Sequence, residues 1–287
     1  MLSILLHVLA AAAYAALAAY FWNTRWMSAR AGAAAQGSIA LPARQPGFRG
    51  WERLLLTLAV LFHAWLLQGD LFAGGQFNFG FAHALSIMTL LALLFYGAES
   101  YVHPLEGLPV LVLPPAALCV MLPPLFAGGV FTAQLKSPAF AAHIAVAMLA
   151  SAFFAIGAAH AVLMATMEKR LHGHARTTGP MGMPPLLTME RLLFQVLWVG
   201  FACLTLTVVS GVFFSEEIFG RALQFDHKTV FSLLAWLIFG VLLLGRVAYG
   251  WRGRTALKGT FAGFAALLLA YVGSRFVLEV ILGRAAG

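Results

Sequence analysis

Charge is what this sequence has least of. Only 10% of its 287 residues are Asp, Glu, Lys or Arg, where an ordinary soluble domain carries about a quarter. A chain so poor in charge cannot cover a water-facing surface, and 62% of it is hydrophobic. Cysteine is almost as scarce. Cys119 and Cys203 each lie inside an apolar run, with no CxxC pair and no disulfide framework, which argues against thiol–disulfide or zinc chemistry. There is no Walker A motif, no GxGxxG after a strand and no GxSxG, so phosphate-loop, dinucleotide and hydrolase-elbow chemistry have no carrier. The chain shows no strong internal repeat, which weakens a transporter built from repeated halves. Its start lacks a basic n-region and a small-residue cleavage motif, so the first apolar run is read as a retained helix rather than a signal peptide.

What is present is long apolar runs. A bilayer-spanning helix needs about 20 mostly apolar residues, and eight segments meet that measure: 2–21, 54–72, 79–97, 108–126, 139–167, 190–214, 229–249 and 259–282. The expected fold is all-α, a polytopic helical bundle of about eight transmembrane helices forming one domain over 1–287. The fourth segment carries Pro114, Pro115, Pro123 and Pro124. Each proline removes a backbone donor, so this span is expected to be kinked or broken.

The net charge of +8 does not signal nucleic acid, because the basic residues sit in short loops between apolar runs. Alternate loops hold most of them: Arg25, Arg30, Arg44, Arg49 and Arg53, then Lys169, Arg170, Arg176 and Arg191, then Arg246, Arg252, Arg254 and Lys258. The opposite side has only Lys136, Arg221, Lys228 and Arg284. The rich side is expected to be cytoplasmic and both termini to face outward. The loop with Glu99, His103 and Glu106 is the one cytoplasmic loop without Lys or Arg.

Ionisable residues at membrane depth are costly and face the bundle interior or a cavity. With the orientation set, His63 of the second span, His83 of the third, His143 of the fifth and His227 at the entry to the seventh fall in the outer half of the bilayer or at its outer surface. His7 is a further candidate for that level, and His160 lies far below it. Neutral imidazole ligates iron, copper or zinc, and paired histidines hold haem. The alternative is that each histidine donates one interhelical hydrogen bond; both readings stay open. His172 and His174 read as loop residues. Arg275 and Glu279 share a helix face, so Arg275 either pairs internally or meets an anionic group. Phe77, Phe79 and Phe81 near the outer mouth are either core and interface aromatics or a wall for a flat cofactor.

Several stretches resemble a known family. Met183-Pro184-Pro185-Leu186-Leu187-Thr188-Met189-Glu190-Arg191, Leu204-Thr205-Leu206-Thr207 with Gly211, Leu234-Ala235-Trp236, Gly250-Trp251-Arg252-Gly253-Arg254, and Gly263-Phe264 with Ala270-Tyr271-Val272-Gly273-Ser274-Arg275 are similar to the cytochrome c assembly proteins of the CcsA/HemX-like type, nearest the short YpjD-type inner-membrane branch. The resemblance implies a multi-pass bacterial inner-membrane protein that handles haem. It implies that His63 corresponds to the family's first transmembrane histidine and His143 to its first external-side histidine, the two expected metal ligands. The segment 215–228 has no tryptophan where the family has a tryptophan-rich motif, and Leu244 stands at the level of the family's second transmembrane histidine.

The expected function is binding and transfer of haem in c-type cytochrome biogenesis or haem homeostasis, without bond-making catalysis. His63 and His143 would hold or relay the iron, His227 or His83 would complete its coordination, and Arg275 would neutralise a propionate. The expected partners are the lipid bilayer, haem and other cytochrome c maturation or haem-synthesis proteins, with no nucleic acid. The alternative is a non-catalytic HemX-like regulator or assembly factor acting through the loops 22–53 and 168–189. A transporter using the histidines is a third class, disfavoured by the scarcity of acidic residues in the spans.

Overall fold

The computed structural model describes residues 2–27, 48–103, 105, 107–126, 128–130, 137–172, 185–219, 227–273 and 276. Its helices, in chain order, are α1 (Leu2–Phe21, continued by a π-helical turn Trp22–Met27), α2 (Gly50–Leu71), α3 (Phe81–Val102), α4 (Leu108–Cys119), α5 (Pro138–His172), α6 (Leu186–Phe219), α7 (His227–Tyr249) and α8 (Arg254–Leu268, continued by a π-helical turn Leu269–Gly273). Seven of them are long and apolar enough to cross a bilayer. Their outward faces are apolar too. On α7, Val230, Leu234, Leu237, Val241 and Leu244 form an exposed stripe at helical spacing. A water-soluble protein does not expose apolar surface on this scale, so the stripe is a lipid-facing surface.

The fourth expected span departs from the other seven. α4 has only 12 residues, a rise of about 18 Å against the roughly 30 Å of a hydrocarbon core. The prolines are the cause. Pro109 suits the first helical turn, but Pro114 and Pro115 lie inside the helix and supply no donors. Beyond Cys119 the chain runs on in turns through Pro123 and Pro124. It still covers the full depth of the bundle. Asn78 and Phe79 (β1), just before α3, pair antiparallel with Val130 and Gly129 (β2). The segment that leaves the far end of α3 is therefore back beside its near end by residue 129. Gly128 permits this closure: its φ is +73°, and a Cβ there would lie 2.8 Å from the backbone nitrogen of Gly80.

Neighbour contacts group the helices into two sets of four. α1, α2, α3 and α4 pack in a ring, α5, α6, α7 and α8 form another, and α3 and α5 join the two. The α1–α2 seam is pinned by a ladder of polar pairs. His7 meets Asp70 at 2.8 Å, Tyr14 meets His63 at 3.2 Å, and Arg25 meets Glu52 at 2.9 Å. Along each helix the rungs are about two and then about three turns apart, so they lie on one stripe and fix one antiparallel register. Glu52, fully buried, also accepts from the Tyr20 hydroxyl and the Arg49 backbone N–H, which satisfies a charge that would otherwise be expensive at this depth.

The second ring is built from successive antiparallel hairpins. His143 faces Ser210 across α5–α6, Trp236 Nε1 donates to Thr205 Oγ1 across α6–α7 at 3.0 Å, and Gly263 sits under the Phe239 ring across α7–α8. Towards the opposite end, Glu190 of α6 pairs with Arg246 of α7 at 2.6 Å. His160 Nε2 of α5 meets Glu99 of α3 at 3.1 Å. The acidic residues at that end therefore bind helices together.

Candidate functional site

α3 and α5 run in the same direction, with Phe95 packed on Phe153 and Glu99 on His160. That register places His83 level with His143. It places Ser86, the partner of His63, within about one turn below His143. Three of the expected histidines thus share a level, but they do not share an environment.

His63 is 0% exposed. Its Nδ1 is bonded to the Tyr14 hydroxyl at 3.2 Å and its Nε2 to Ser86 Oγ at 2.8 Å, so both ring nitrogens are held between α1 and α3. His83 is buried near Asp70, and its Nδ1 has no hydrogen-bond partner among the described residues. His7 joins Asp70 at the outer end of the α1–α2 ladder. His227 opens α7 and is exposed. Arg275 and Glu279 lie outside the described residues, as does His174. Leu244 is 66% exposed on the lipid-facing stripe of α7, so the position that the resemblance aligns with a second histidine faces away from the bundle. Among the described residues, no three His, Cys, Asp or Glu side chains converge as a metal site.

His143 is different. It lines a cavity of about 800 Å³, mouth included, enclosed by α5, α6, α7 and α8 together with Phe79. The π-helical turn after α8 carries Ala270 and Tyr271 into its wall; such turns frequently mark functional sites. Phe79 stacks on Phe77 and packs against Tyr271 with ring centroids 5.9 Å apart. Phe81 instead sits in a separate aromatic contact with Phe126 and Phe276. Ile144, Met148, Leu204 and Leu267 give the remaining wall its apolar character, and Lys228 stands in the first turn of α7. A smaller space of about 310 Å³ adjoins it, sharing Met148, Ser151, Leu267 and Tyr271.

His143 Nδ1 lies 2.7 Å from Ser210 Oγ, and the same hydroxyl reaches the Leu206 carbonyl at 2.7 Å and the Thr207 carbonyl at 3.2 Å. Ser210 thus orients the ring through Nδ1, an arrangement in which an imidazole ligates a metal through Nε2 while a second group positions it. Haem needs such a nitrogen, flat apolar walls and a cation for its carboxylates. The described lining of the cavity holds an imidazole, mostly apolar residues and one lysine, Lys228.

Ser210, Tyr271 and Lys228 were not singled out from sequence as partners of His143. Lys228 was visible as one of few basic residues on the outer side. Nothing in the sequence pairs Ser210 with His143, because the two are 67 positions apart and the rotation of each helix is invisible until packing fixes it.

The family model described as cytochrome C assembly protein matches residues 51–282. Among relatives, the inner membrane protein YpjD of Escherichia coli strain K12 is 40% identical over 99 residues, covering 34% of this chain and 37% of the relative. The cytochrome c biogenesis protein CcsA of Synechocystis is 27% identical over 110 residues, covering 38% of this chain and 33% of the relative. CcsA of Heterosigma akashiwo is 33% identical over 93 residues, covering 32% and 29%. The matched stretch thus spans little more than a third of these relatives at most. No solved structure matches the chain. The family match takes in α2 through α8, every wall of the His143 cavity included, and the chain belongs to the cytochrome c assembly protein family.

Proposed function

We propose that this chain is a haem-handling protein of the bacterial inner membrane that serves c-type cytochrome biogenesis. The observation that carries the reading is His143: an imidazole held through Nδ1 by Ser210, on the wall of a largely apolar cavity. Membership of the cytochrome c assembly family and the names of its relatives support it. His143 Nε2 would hold the iron, and Phe79 and Tyr271 would wall the ring. His63 would serve as a second station, reached only when Ser86 releases its Nε2. Bound haem supplies an iron that accepts imidazole and a carboxylate-bearing ring. This chain's part is to bind, orient and exclude water, making no covalent bond of its own.

The test is the visible spectrum of the detergent-purified protein with added hemin, oxidised and dithionite-reduced. Wild type should show a Soret band with paired α and β bands. His143→Ala should lose these bands, and His63→Ala, which removes only the second station, should keep the Soret band. A colourless protein that takes up no hemin sinks the reading.

One observation favours the alternative, a HemX-like regulator or assembly factor. His7, His63 and His160 are all engaged by side chains of this same protein, as in a scaffold whose histidines serve packing. That reading expects co-purification of a haem-synthesis or maturation protein, lost when 22–53 or 168–189 is replaced by a neutral linker.

A further inference from the structure

We propose that the turn between α7 and α8 binds the headgroup of an anionic phospholipid through Arg252, Arg254 and Lys258. The lipid-facing stripe of α7 continues past Leu244 to Val247 and Tyr249, which are 72% and 79% exposed. α8 has a matching outer face. Phe261, Ala265 and Leu269 are exposed on it at helical spacing, and one and two turns before Phe261 the same face carries Lys258 and Arg254. Both stripes thus end in basic residues at the same end of the bundle, with Tyr249 at the change. That is the order of chemistry met on passing from acyl chains through the aromatic interface to the headgroups.

Packing holds the turn in place. The Trp251 ring folds back over Gly245 and leaves no room there for a Cβ. The Trp251 N–H donates to the Gly245 carbonyl, and Arg246 Nη1 donates to the Trp251 carbonyl, both at 3.2 Å. Arg246 is engaged by Glu190, whereas Arg252 lies 3.7 Å from that carboxylate with its side chain 61% exposed. Arg254 and Lys258 are exposed and have no acidic partner among the described residues. The sequence offers few acids to neutralise them. On the Arg-rich side the acidic residues are Glu52, Glu99, Glu106, Glu168 and Glu190. Glu52, Glu99 and Glu190 bind Arg25, His160 and Arg246, Glu168 has a partner of its own, and Glu106 belongs to the α3–α4 loop of the other ring. A water-soluble acidic partner would not account for cations that cap two lipid-facing stripes; a lipid with its chains on the stripes and its phosphate at the turn does.

Native mass spectrometry of the detergent-purified full chain tests this, with phosphatidylglycerol and phosphatidylcholine of the same acyl chains offered at equal concentration. Wild type should bind phosphatidylglycerol about tenfold more tightly, the effect of one to two cations at a membrane surface. Replacing Arg252, Arg254 and Lys258 together by Gln should bring the ratio to about one, and Arg252→Lys with Arg254→Lys should keep it. Gly245→Ala changes no charge but displaces the Trp251 ring, so it should also lower the ratio. Arg30→Gln, Arg44→Gln and Lys169→Gln combined remove equal charge from the same side and should leave the ratio as in wild type. The single changes at 252, 254 and 258, each expected to cut the ratio about twofold, keep the measurement decisive if the triple variant does not fold. No preference in wild type, or a preference unchanged by these single changes or by Gly245→Ala, overturns the proposal. So does an equal fall in the Arg30, Arg44 and Lys169 variant, which would make the preference a matter of net charge.

Discussion

At the scale of single residues, the informative contrast is between two histidines at nearly one depth. His63 has both ring nitrogens taken by Tyr14 and Ser86. His143 has its Nδ1 held by a serine whose hydroxyl also reaches a backbone carbonyl. Ser210 is therefore a positioning residue. Removing its oxygen takes away the partner that holds Nδ1. Second-shell losses of this type typically weaken metal binding by about 10–100-fold. Ser210→Ala should weaken hemin binding by about tenfold in a spectrophotometric titration, and Ser210→Thr should restore much of it. Equal binding in wild type and Ser210→Ala would mean that His143 needs no orientation.

At the scale of elements, close packing between helices decides what can change. Gly263 of α8 has no room for a methyl group: a Cβ there would lie 2.6 Å from Phe239 Cζ. Phe239 cannot move aside, because it is fully buried and stacked on Phe154 with centroids 3.7 Å apart. Gly→Ala in a helix interior ordinarily stabilises by about 0.5–1 kcal/mol, whereas overpacking costs about 1–3 kcal/mol. Gly263→Ala should therefore lower the thermal midpoint in detergent. Gly97→Ala, at a helical position with nothing within 4 Å, should leave it unchanged or raise it. Opposite signs from one chemical change would locate the α7–α8 contact.

The helices themselves were legible because apolar length is a one-dimensional signal. The runs at 2–21 and 229–249 became α1 (Leu2–Phe21) and α7 (His227–Tyr249) almost unchanged. The prolines at 114 and 115 warned correctly of a broken span. The strand pair that returns residue 129 to residue 79 had no sequence trace, since two residues per strand carry no periodicity. Facing was not legible. The α1–α2 rungs, the Ser210 partner of His143 and the outward turn of Leu244 all depend on helix rotation, which apolar-all-round helices do not encode.

At the scale of the whole molecule, the short α4 decides where the chain ends. Seven crossings would put the termini on opposite sides of the membrane, and eight would put them on one side. The pairing of Phe79 with Gly129 argues for eight, because it returns the chain to the side from which α3 departs. The charge distribution agrees: the ends of α1, α5 and α7 that meet the Arg-rich loops all lie on one side only if residues 108–130 complete a crossing. Fusions of alkaline phosphatase, which folds only outside the cytoplasm, after Lys136, Arg176, Asp226, Arg254 and Gly287 measure this. Those at 136, 226 and 287 should be active and those at 176 and 254 inactive, with green fluorescent protein fusions giving the reverse. An inactive fusion at 136 beside an active one at 176 would mean that the proline-broken segment turns back within the membrane. The His143 cavity would then open to the cytoplasmic face.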